Sequence, residues 1–232
     1  MNPALSLREL FRFLFPTQCV GCGNVLVGSE LQLCAKCLMA LPTTNYAVIA
    51  GNEAECRLRQ LIPVEAAMAL LHFRQGEVSQ HIVHAVKYHG NSELGFMMGR
   101  QMGIALQHSD RFTDIDLMVP VPLHFTRRLQ RGYNQSRLLC EGIAQVFRCP
   151  VESHAIRRVR RTETQTHKSH IERIANVEGA FRVVRPDLLE GRHVLIVDDV
   201  MTTGATIASC ARPVLELPGT RVSVATLTVA GI

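Results

Sequence analysis

Short apolar runs alternate along the chain with longer stretches whose apolar positions recur at helical spacing. The apolar runs predict strands over residues 65–73, 115–121 and 194–197, the last of them rich in β-branched side chains. Helical spacing is found in three stretches, which are residues 77–87, 93–107 and 205–217. Strands alternating with helices predict an α/β protein with a mainly parallel central sheet flanked by helices.

The chain is long enough for one sizeable core and a small appendage. It has 232 residues, of which 47% are hydrophobic and 19% charged, with a formal net charge of +5. We expect an N-terminal unit over residues 1–50 and a larger domain over 65–232, with 42–51 as the linker. Residues 5–15 are apolar but interrupted by charges, and they are too short to span a bilayer. They predict an amphipathic helix on the small unit, and the composition favours a cytoplasmic protein.

Four cysteines near the N-terminus form two Cys-x-x-Cys pairs, Cys19 with Cys22 and Cys34 with Cys37. Four thiolates in two tight turns satisfy a tetrahedral Zn²⁺ ion in a closed, structural site. Residues 24–33 alternate well enough to predict a short hairpin between the pairs, which would make this unit a zinc ribbon. Two disulfides or a redox pair are the alternatives, and they are disfavoured because nothing marks the chain as secreted.

The strand at 194–197 is followed by Asp198 and Asp199, and then by the turn Thr202, Thr203, Gly204, Ala205 and Thr206. A turn with hydroxyls and backbone N–H groups at a helix N-terminus stabilises a phosphate, and Gly204 lets the backbone approach it. Two adjacent carboxylates repel phosphate, so hydroxyl groups are their expected partners. These preferences together indicate a ribose 5-phosphate ligand. A structural acidic cap is the alternative.

Two arginine-rich segments follow other predicted elements. The first comes after the strand at 115–121 and contains Arg127, Arg128 and Arg131, whose guanidinium groups suit pyrophosphate oxygens. The second begins with four arginines within residues 157–161 and continues as a long polar stretch typical of a lid or binding loop. Its charge also suits single-stranded DNA, for which base stacking is expected to be minor because aromatic residues are only 5% of the chain. Solvated charge is the alternative for both segments. Lys87 is a candidate phosphate contact or a solvated side chain.

The acid pair and its turn resemble the phosphoribosyl-pyrophosphate (PRPP) motif of type I phosphoribosyltransferases. The resemblance implies that Asp198 and Asp199 hold the ribose 2′- and 3′-hydroxyls and that residues 202–206 wrap the 5′-phosphate. It also implies a pyrophosphate loop, for which Arg127, Arg128 and Arg131 are the candidates. The residues that it implies for a mobile lid are Arg158, Arg161, Thr162, Gln165 and Thr166. Mg²⁺ would accompany the diphosphate.

The order of these motifs over nearly the whole chain resembles the competence protein F (ComF/GntX) family, also called amidophosphoribosyltransferase-like proteins. The resemblance implies a type I phosphoribosyltransferase fold with a zinc ribbon, in a cytoplasmic protein of DNA uptake or of the use of external DNA. It implies PRPP, single-stranded DNA and a competence helicase as partners. A phosphoribosyltransferase with an unknown acceptor is the leading hypothesis. The alternatives are a non-catalytic sensor of PRPP or phosphate that binds nucleic acid, and a phosphoribosyltransferase of nucleotide metabolism.

Overall fold

A computed structural model describes residues 16–160 and 179–231 of the protein. The helices are α1 Ala35–Met39, α2 Glu53–Arg59, α3 Val78–Tyr88, α4 Ser92–Gln107, α5 Phe125–Arg131, α6 Gln135–Phe147 and α7 Ala205–Leu215. The strands are β1 Ala67–Phe73, β2 Leu117–Pro120, β3 Ile156–Arg158, β4 Phe181–Val183, β5 His193–Met201 and β6 Arg221–Ala230. Short 3₁₀ turns occupy Asp110–Phe112 and Pro186–Leu188.

Four strands form a parallel sheet in the order β1-β6-β5-β2. The long inner strands β5 and β6 are buried along nearly their whole length, as expected of strands that are covered on both faces. A parallel bridge from Met118 to Val151 extends the sheet beyond β2. A separate antiparallel pair joins β3 to β4. Because all strands of the main sheet run the same way, their carboxyl ends meet at one edge, where open α/β sheets bind ligands.

The core lies in two layers, one on each face of the sheet. Leu195 and Val197 of β5 belong to one apolar cluster, which includes buried residues of α3, α4 and α6. Val194 and Ile196 alternate with them and belong to the second cluster, which includes residues of α2 and α7. This alternation follows from the two-residue period of a strand.

The cysteine-bearing segment packs onto the first of these layers. Cys19, Leu33 and Cys37 are buried members of the same apolar cluster as Met68 and Ile82. The Gly21 carbonyl oxygen also lies 2.8 Å from His81 Nδ1 of α3. Tertiary contacts therefore connect the N-terminal segment with the helix that follows β1.

Several predicted elements are confirmed, and two differ from the prediction. Helices near 77–87, 93–107 and 205–217 are present with small shifts at their ends. The predicted strand at 194–197 continues to Met201, so the acid pair lies inside β5 and not beyond its end. Helix α2 was not predicted. Residues 24–33 form no strand; the backbone of residue 19 instead pairs with Asn24 at 2.7 Å, closing a turn around the first cysteine pair. The predicted helix at 5–15 lies outside the described residues.

None of the helices in the described ranges is both long and apolar enough to cross a membrane.

Glycines bring α4 and α6 into backbone contact. A Cβ added at Gly142 would overlap the Phe96 carbonyl oxygen and lie 2.8 Å from the Arg100 nitrogen. A Cβ at Gly95 would meet only the side chains of Leu138 and Val86, at 3.4 Å. Backbone atoms cannot move away as a side-chain methyl group can, so the two glycines are not equivalent.

We expect Gly142→Ala to lower the free energy of unfolding by about 1–3 kcal/mol, because it overpacks a rigid contact. Gly95→Ala is the matched control. It should change the free energy of unfolding by less than about 1 kcal/mol, because the added methyl group meets only side chains and alanine favours a helix more than glycine does. Urea unfolding of both variants is the measurement. Equal effects of the two substitutions would contradict the close-packed crossing.

Candidate functional site

The four cysteines of the two pairs come together as one cluster. The sulfurs of Cys19, Cys22, Cys34 and Cys37 all lie within 4.8 Å of one another, and the Cys22 and Cys34 sulfurs are 3.7 Å apart. In a tetrahedral Zn²⁺ site with zinc–sulfur bonds near 2.3 Å, sulfurs are separated by about 3.8 Å. The donor set and its spacing therefore fit a closed tetrahedral metal site.

The thiols of this cluster differ in their affinity for protons. Burial raises the pKa of Cys19, but backbone N–H groups, led by that of Cys34, outweigh it and lower the pKa to about 6. The Cys34 nitrogen donates to the Cys19 sulfur at 3.2 Å. Burial and the neighbouring thiols raise the pKa of Cys37 far above its ordinary value. Four thiolates at this distance require a bound cation to offset their charge.

The carboxyl end of β5 carries the second cluster of functional groups, the acid pair Asp198 and Asp199. Ser136 at the start of α6 donates from Oγ to an Asp198 carboxylate oxygen at 2.9 Å. Lys87 in α3 lies with Nζ 3.0 Å from an Asp199 carboxylate oxygen, and both side chains are mostly buried. Lys87 is therefore a mostly buried ion-pair partner of the acid pair and not a solvated side chain. The Ser136 contact was not predicted either.

Burial and the adjacent charge of Asp199 raise the pKa of Asp198 to about 7. The charge of Lys87 and the Ser136 hydroxyl act in the opposite direction and are the weaker effects. Asp198 thus titrates near neutral pH. The side-chain amide nitrogen of Gln135, which precedes Ser136 in the chain, is buried and has no hydrogen-bond partner among the described residues.

The turn between β5 and α7 follows the acid pair. Gly204 precedes α7 in the left-handed conformation, with φ of +80°, which a residue with a side chain adopts only with strain. Its side of the turn is also close-packed, because an added Cβ would lie 3.1 Å from Leu58 Cδ2. Glycine at this N-cap position provides no side-chain acceptor, and the Ala205 N–H donates only over a long distance, 3.4 Å, to Thr203 Oγ1. The start of α7 is therefore suited to binding an anion.

Arg57 of α2 holds this turn in place. Its guanidinium group donates to the Thr202 carbonyl oxygen and, at 2.7 Å, to the Ala230 carbonyl oxygen at the end of β6. It also pairs with Glu53 one turn earlier, and the arginine side chain is buried. Helix α2 and Arg57 were missed in the sequence, although Asn52 followed by Glu55 three residues later is an N-cap signal.

The predicted basic residues are only partly described. The guanidinium carbon of Arg131 lies 5.3 Å from the centre of the Tyr88 ring, and that of Arg158 lies 5.2 Å from the Phe181 ring. The Arg127 and Arg128 positions belong to α5, but the placement of their side chains lies outside the described structure. The remaining lid candidates, Arg161, Thr162, Gln165 and Thr166, also lie outside the described residues.

Comparison with known proteins supplies the class to which this architecture belongs. The phosphoribosyl transferase domain family matches residues 134–230, which include the acid pair and the turn. The parallel sheet with its flanking helices is the type I phosphoribosyltransferase fold, joined here to an N-terminal four-cysteine cluster.

Relatives that match most of the chain identify its family within this class. It is 37% identical over 86% of its length to DNA utilization protein YhgH of Escherichia coli K12, of which it covers 78%. It is 28% identical over 84% of its length to competence protein F of Haemophilus influenzae, of which it covers 79%. The chain belongs to the competence protein F family. Among solved structures, the glutamine PRPP amidotransferase of B. subtilis matches 62% of this chain and 30% of its own at 19% identity, with a TM-score of 0.42, which is too low to support a functional argument.

Asp198→Asn is expected to stabilise the protein at pH 8 and to have little effect near pH 4. The folded-state pKa of Asp198 lies above its ordinary value, so the fold retains a proton there that the unfolded chain releases between about pH 4 and pH 7. The cost of ionising Asp198 in the fold grows through that window and is complete above it. Each tenfold difference in proton affinity between the folded and unfolded chains corresponds to about 1.4 kcal/mol, so the melting temperature should rise by about 3 °C or more at pH 8.

Thermal melting of parent and variant from pH 4 to pH 8 is the measurement. Asp187→Asn is the control, because Asp187 is an exposed aspartate paired with Arg185, which lowers its pKa. That control should show no gain at pH 8. An Asp198→Asn variant less stable than the parent at pH 8 would show that the carboxylate contacts outweigh its burial.

Proposed function

We propose that this protein binds PRPP at the acid pair and the 202–206 turn and works in the use of external DNA. The observation that carries the proposal is the arrangement at the carboxyl end of β5, where two carboxylates precede an uncapped helix N-terminus. The names of its relatives, DNA utilization protein and competence protein F, support the DNA-related role. The proposal includes a cytoplasmic location and a competence helicase as partner, following the family.

In the proposed complex the carboxylates bind the ribose hydroxyls, and the turn after β5 binds the 5′-phosphate. Asp198 and Asp199 accept hydrogen bonds from the two ribose hydroxyls, which replace or join the present contacts to Ser136 and Lys87. Backbone N–H groups at the start of α7 and the hydroxyls of Thr202, Thr203 and Thr206 take the 5′-phosphate. Arg127, Arg128 and Arg131 are the proposed pyrophosphate contacts. The proposed lid residues are Arg158, Arg161, Thr162, Gln165 and Thr166.

The donors at the site are compatible with Mg²⁺, which prefers carboxylate, phosphate and water oxygens. Asp198 and Asp199 supply carboxylate oxygens at the sheet edge, and the rest of the shell would come from diphosphate and water. When bound, the ion would offset the charge of the diphosphate. Lys87 already offsets part of the charge of the acid pair, so the protein itself moderates the repulsion between its acids and a phosphorylated ligand.

The proposed reaction is phosphoribosyl transfer to a nitrogen nucleophile. The bond from ribose C1 to the pyrophosphate oxygen breaks, and pyrophosphate leaves with the electron pair. The nitrogen lone pair forms the new C1–N bond, and the nitrogen then releases its proton to water. The acid pair positions the sugar, and the cationic groups stabilise the leaving pyrophosphate. A nucleobase-like or amine acceptor fits this chemistry. A non-catalytic PRPP sensor is the second candidate, because the same pocket serves binding without turnover.

For the cysteine cluster we propose a structural Zn²⁺ ion. The support is the closed set of four sulfurs, two of them buried, within 4.8 Å of one another. All four positions are filled by protein, so no position is left for a substrate. We also propose that residues 1–50 and 65–232 are the two units of the chain, with the ion organising the first.

Untagged protein should contain one zinc per chain, and chelation should lower its melting temperature because the ion supplies folding free energy to the N-terminal unit. Elemental analysis before and after chelation is the measurement. Cys22→Ser and Cys34→Ser should lose the metal, whereas Cys56→Ser, at an exposed cysteine outside the cluster, should keep it. A fully folded protein whose four cluster thiols are free in the absence of metal would contradict the proposal.

Asp198→Asn and Asp199→Asn should each weaken PRPP binding in the presence of Mg²⁺ by about 10- to 150-fold, because each loses a charge-assisted hydrogen bond to a ribose hydroxyl. Calorimetric titration is the measurement, with Asp187→Asn as the exposed control that should bind like the parent. Pyrophosphate release with nucleobases or single-stranded DNA present then separates enzyme from sensor. Unchanged binding by both site variants would make the acids structural.

A further inference from the structure

Two aromatic rings, those of Tyr88 and Phe125, are strongly exposed in the described part of the chain. Tyr88 is 66% exposed and Phe125 is 59% exposed, whereas the other described Phe and Tyr side chains are buried or half-buried. Tyr88 directly follows Lys87, which contacts Asp199. Phe125 begins α5, in the segment that leaves the carboxyl end of β2. Tyr88 is therefore an exposed ring directly beside a residue of the candidate site.

The Tyr88 ring is held in a defined orientation. The His84 ring meets it edge-on, with centroids 5.6 Å apart and an interplanar angle of 86°. The Arg131 guanidinium carbon lies over the ring at 5.3 Å from its centre. Arg131 ends α5, and the segment directly after it is anchored to α3 because the Tyr133 hydroxyl donates to the Val86 carbonyl oxygen at 2.6 Å. The ring and the cation thus form a pre-organised surface with much of its area open to solvent.

The chemistry of this surface favours a flat, electron-rich ligand attached to a phosphate backbone. Nucleobases stack on tyrosine rings and on guanidinium planes, and every base offers such a face. A guanidinium group also attracts backbone phosphates. The exposed Leu129 of α5 would suit an apolar protein partner instead. Such a partner would make no favourable contact with the Arg131 guanidinium group, so nucleic acid fits this surface better.

We propose that the Tyr88 ring, oriented by Arg131 and His84, is a stacking platform for a base of single-stranded nucleic acid beside the acid pair. Arg131 keeps its proposed contact with pyrophosphate and positions the ring. The proposal rests on the proposed function and deepens it by naming the surface that receives the strand. It assigns base stacking, which the composition predicts to be minor, to this one oriented ring.

The absence of tryptophan from the sequence allows a direct test. Tyr88→Trp creates a single-tryptophan protein whose fluorescence should be quenched when oligo(dT) is titrated at low salt, because a base stacks on the indole ring. Met39→Trp, at an 82% exposed position next to the cysteine cluster, is the matched reporter and should show little quenching. An oligomer of the same length and charge made of abasic nucleotides should leave the Tyr88→Trp fluorescence unquenched. Equal quenching of both reporters, or quenching of the Tyr88→Trp variant by the abasic strand, would overturn the platform.

Affinity measurements provide the second test. Tyr88→Ala should weaken oligo(dT) binding by about 5- to 150-fold with an unchanged salt slope, since it removes stacking but no phosphate contact. Tyr88→Phe keeps the ring and should stay within about twofold of the parent, and thermal melting shows that both variants are folded. Equal binding by Tyr88→Ala and the parent would overturn the proposal and leave this surface to a protein partner. Parent protein that binds PRPP but not oligo(dT) would refute the platform alone, whereas failure to bind PRPP would refute the proposed pocket.

Discussion

The electrostatic balance around the acid pair is the constraint on which this sheet edge depends. Two neighbouring carboxylates in a mostly buried strand repel each other and lose hydration, which is why the pKa of Asp198 is raised to about 7. Lys87 and Ser136 offset this cost at 3.0 and 2.9 Å. They come from α3 and α6, which pack on the same face of the sheet. The positions of two helices are therefore coupled to the ionisation of one pair of acids.

Helix α2, on the opposite face of the sheet, holds the turn that follows β5. Through α2, Arg57 ties the turn after β5 to the end of β6, and Leu58 packs against Gly204. A rigid turn keeps the open N–H groups of α7 oriented before any ligand arrives, which reduces the entropy lost on binding. The acid pair lowers stability, whereas the surrounding contacts restore it. Such opposition between stability and polar function is expected where a fold holds a binding site.

The cysteine cluster is connected to this site through packing. Cys19 and Cys37 lie in the same apolar layer as α3, and the Gly21 carbonyl oxygen contacts His81 of that helix. Lys87 and Tyr88 end the same helix and face the acid pair and Arg131 respectively. Loss of order around the cysteines would therefore reach the sheet edge through α3. Helix α3 therefore both contacts the N-terminal segment and carries groups of the candidate site.

Sequence patterns determined the α/β class, the two cysteine pairs and the acid pair with its turn, because strand and helix periods and tight-turn spacings are local properties of the chain. The partners of those groups are long-range, since Lys87 and Asp199 are separated by 112 residues (199 − 87) and Arg57 and Thr202 by 145. No local pattern specifies such pairs, and α2 was missed because it is only seven residues long. Tertiary structure alone decided that Lys87 neutralises Asp199 and that the Tyr88 ring stands exposed beside Arg131. Both follow from how α3 is packed on the sheet.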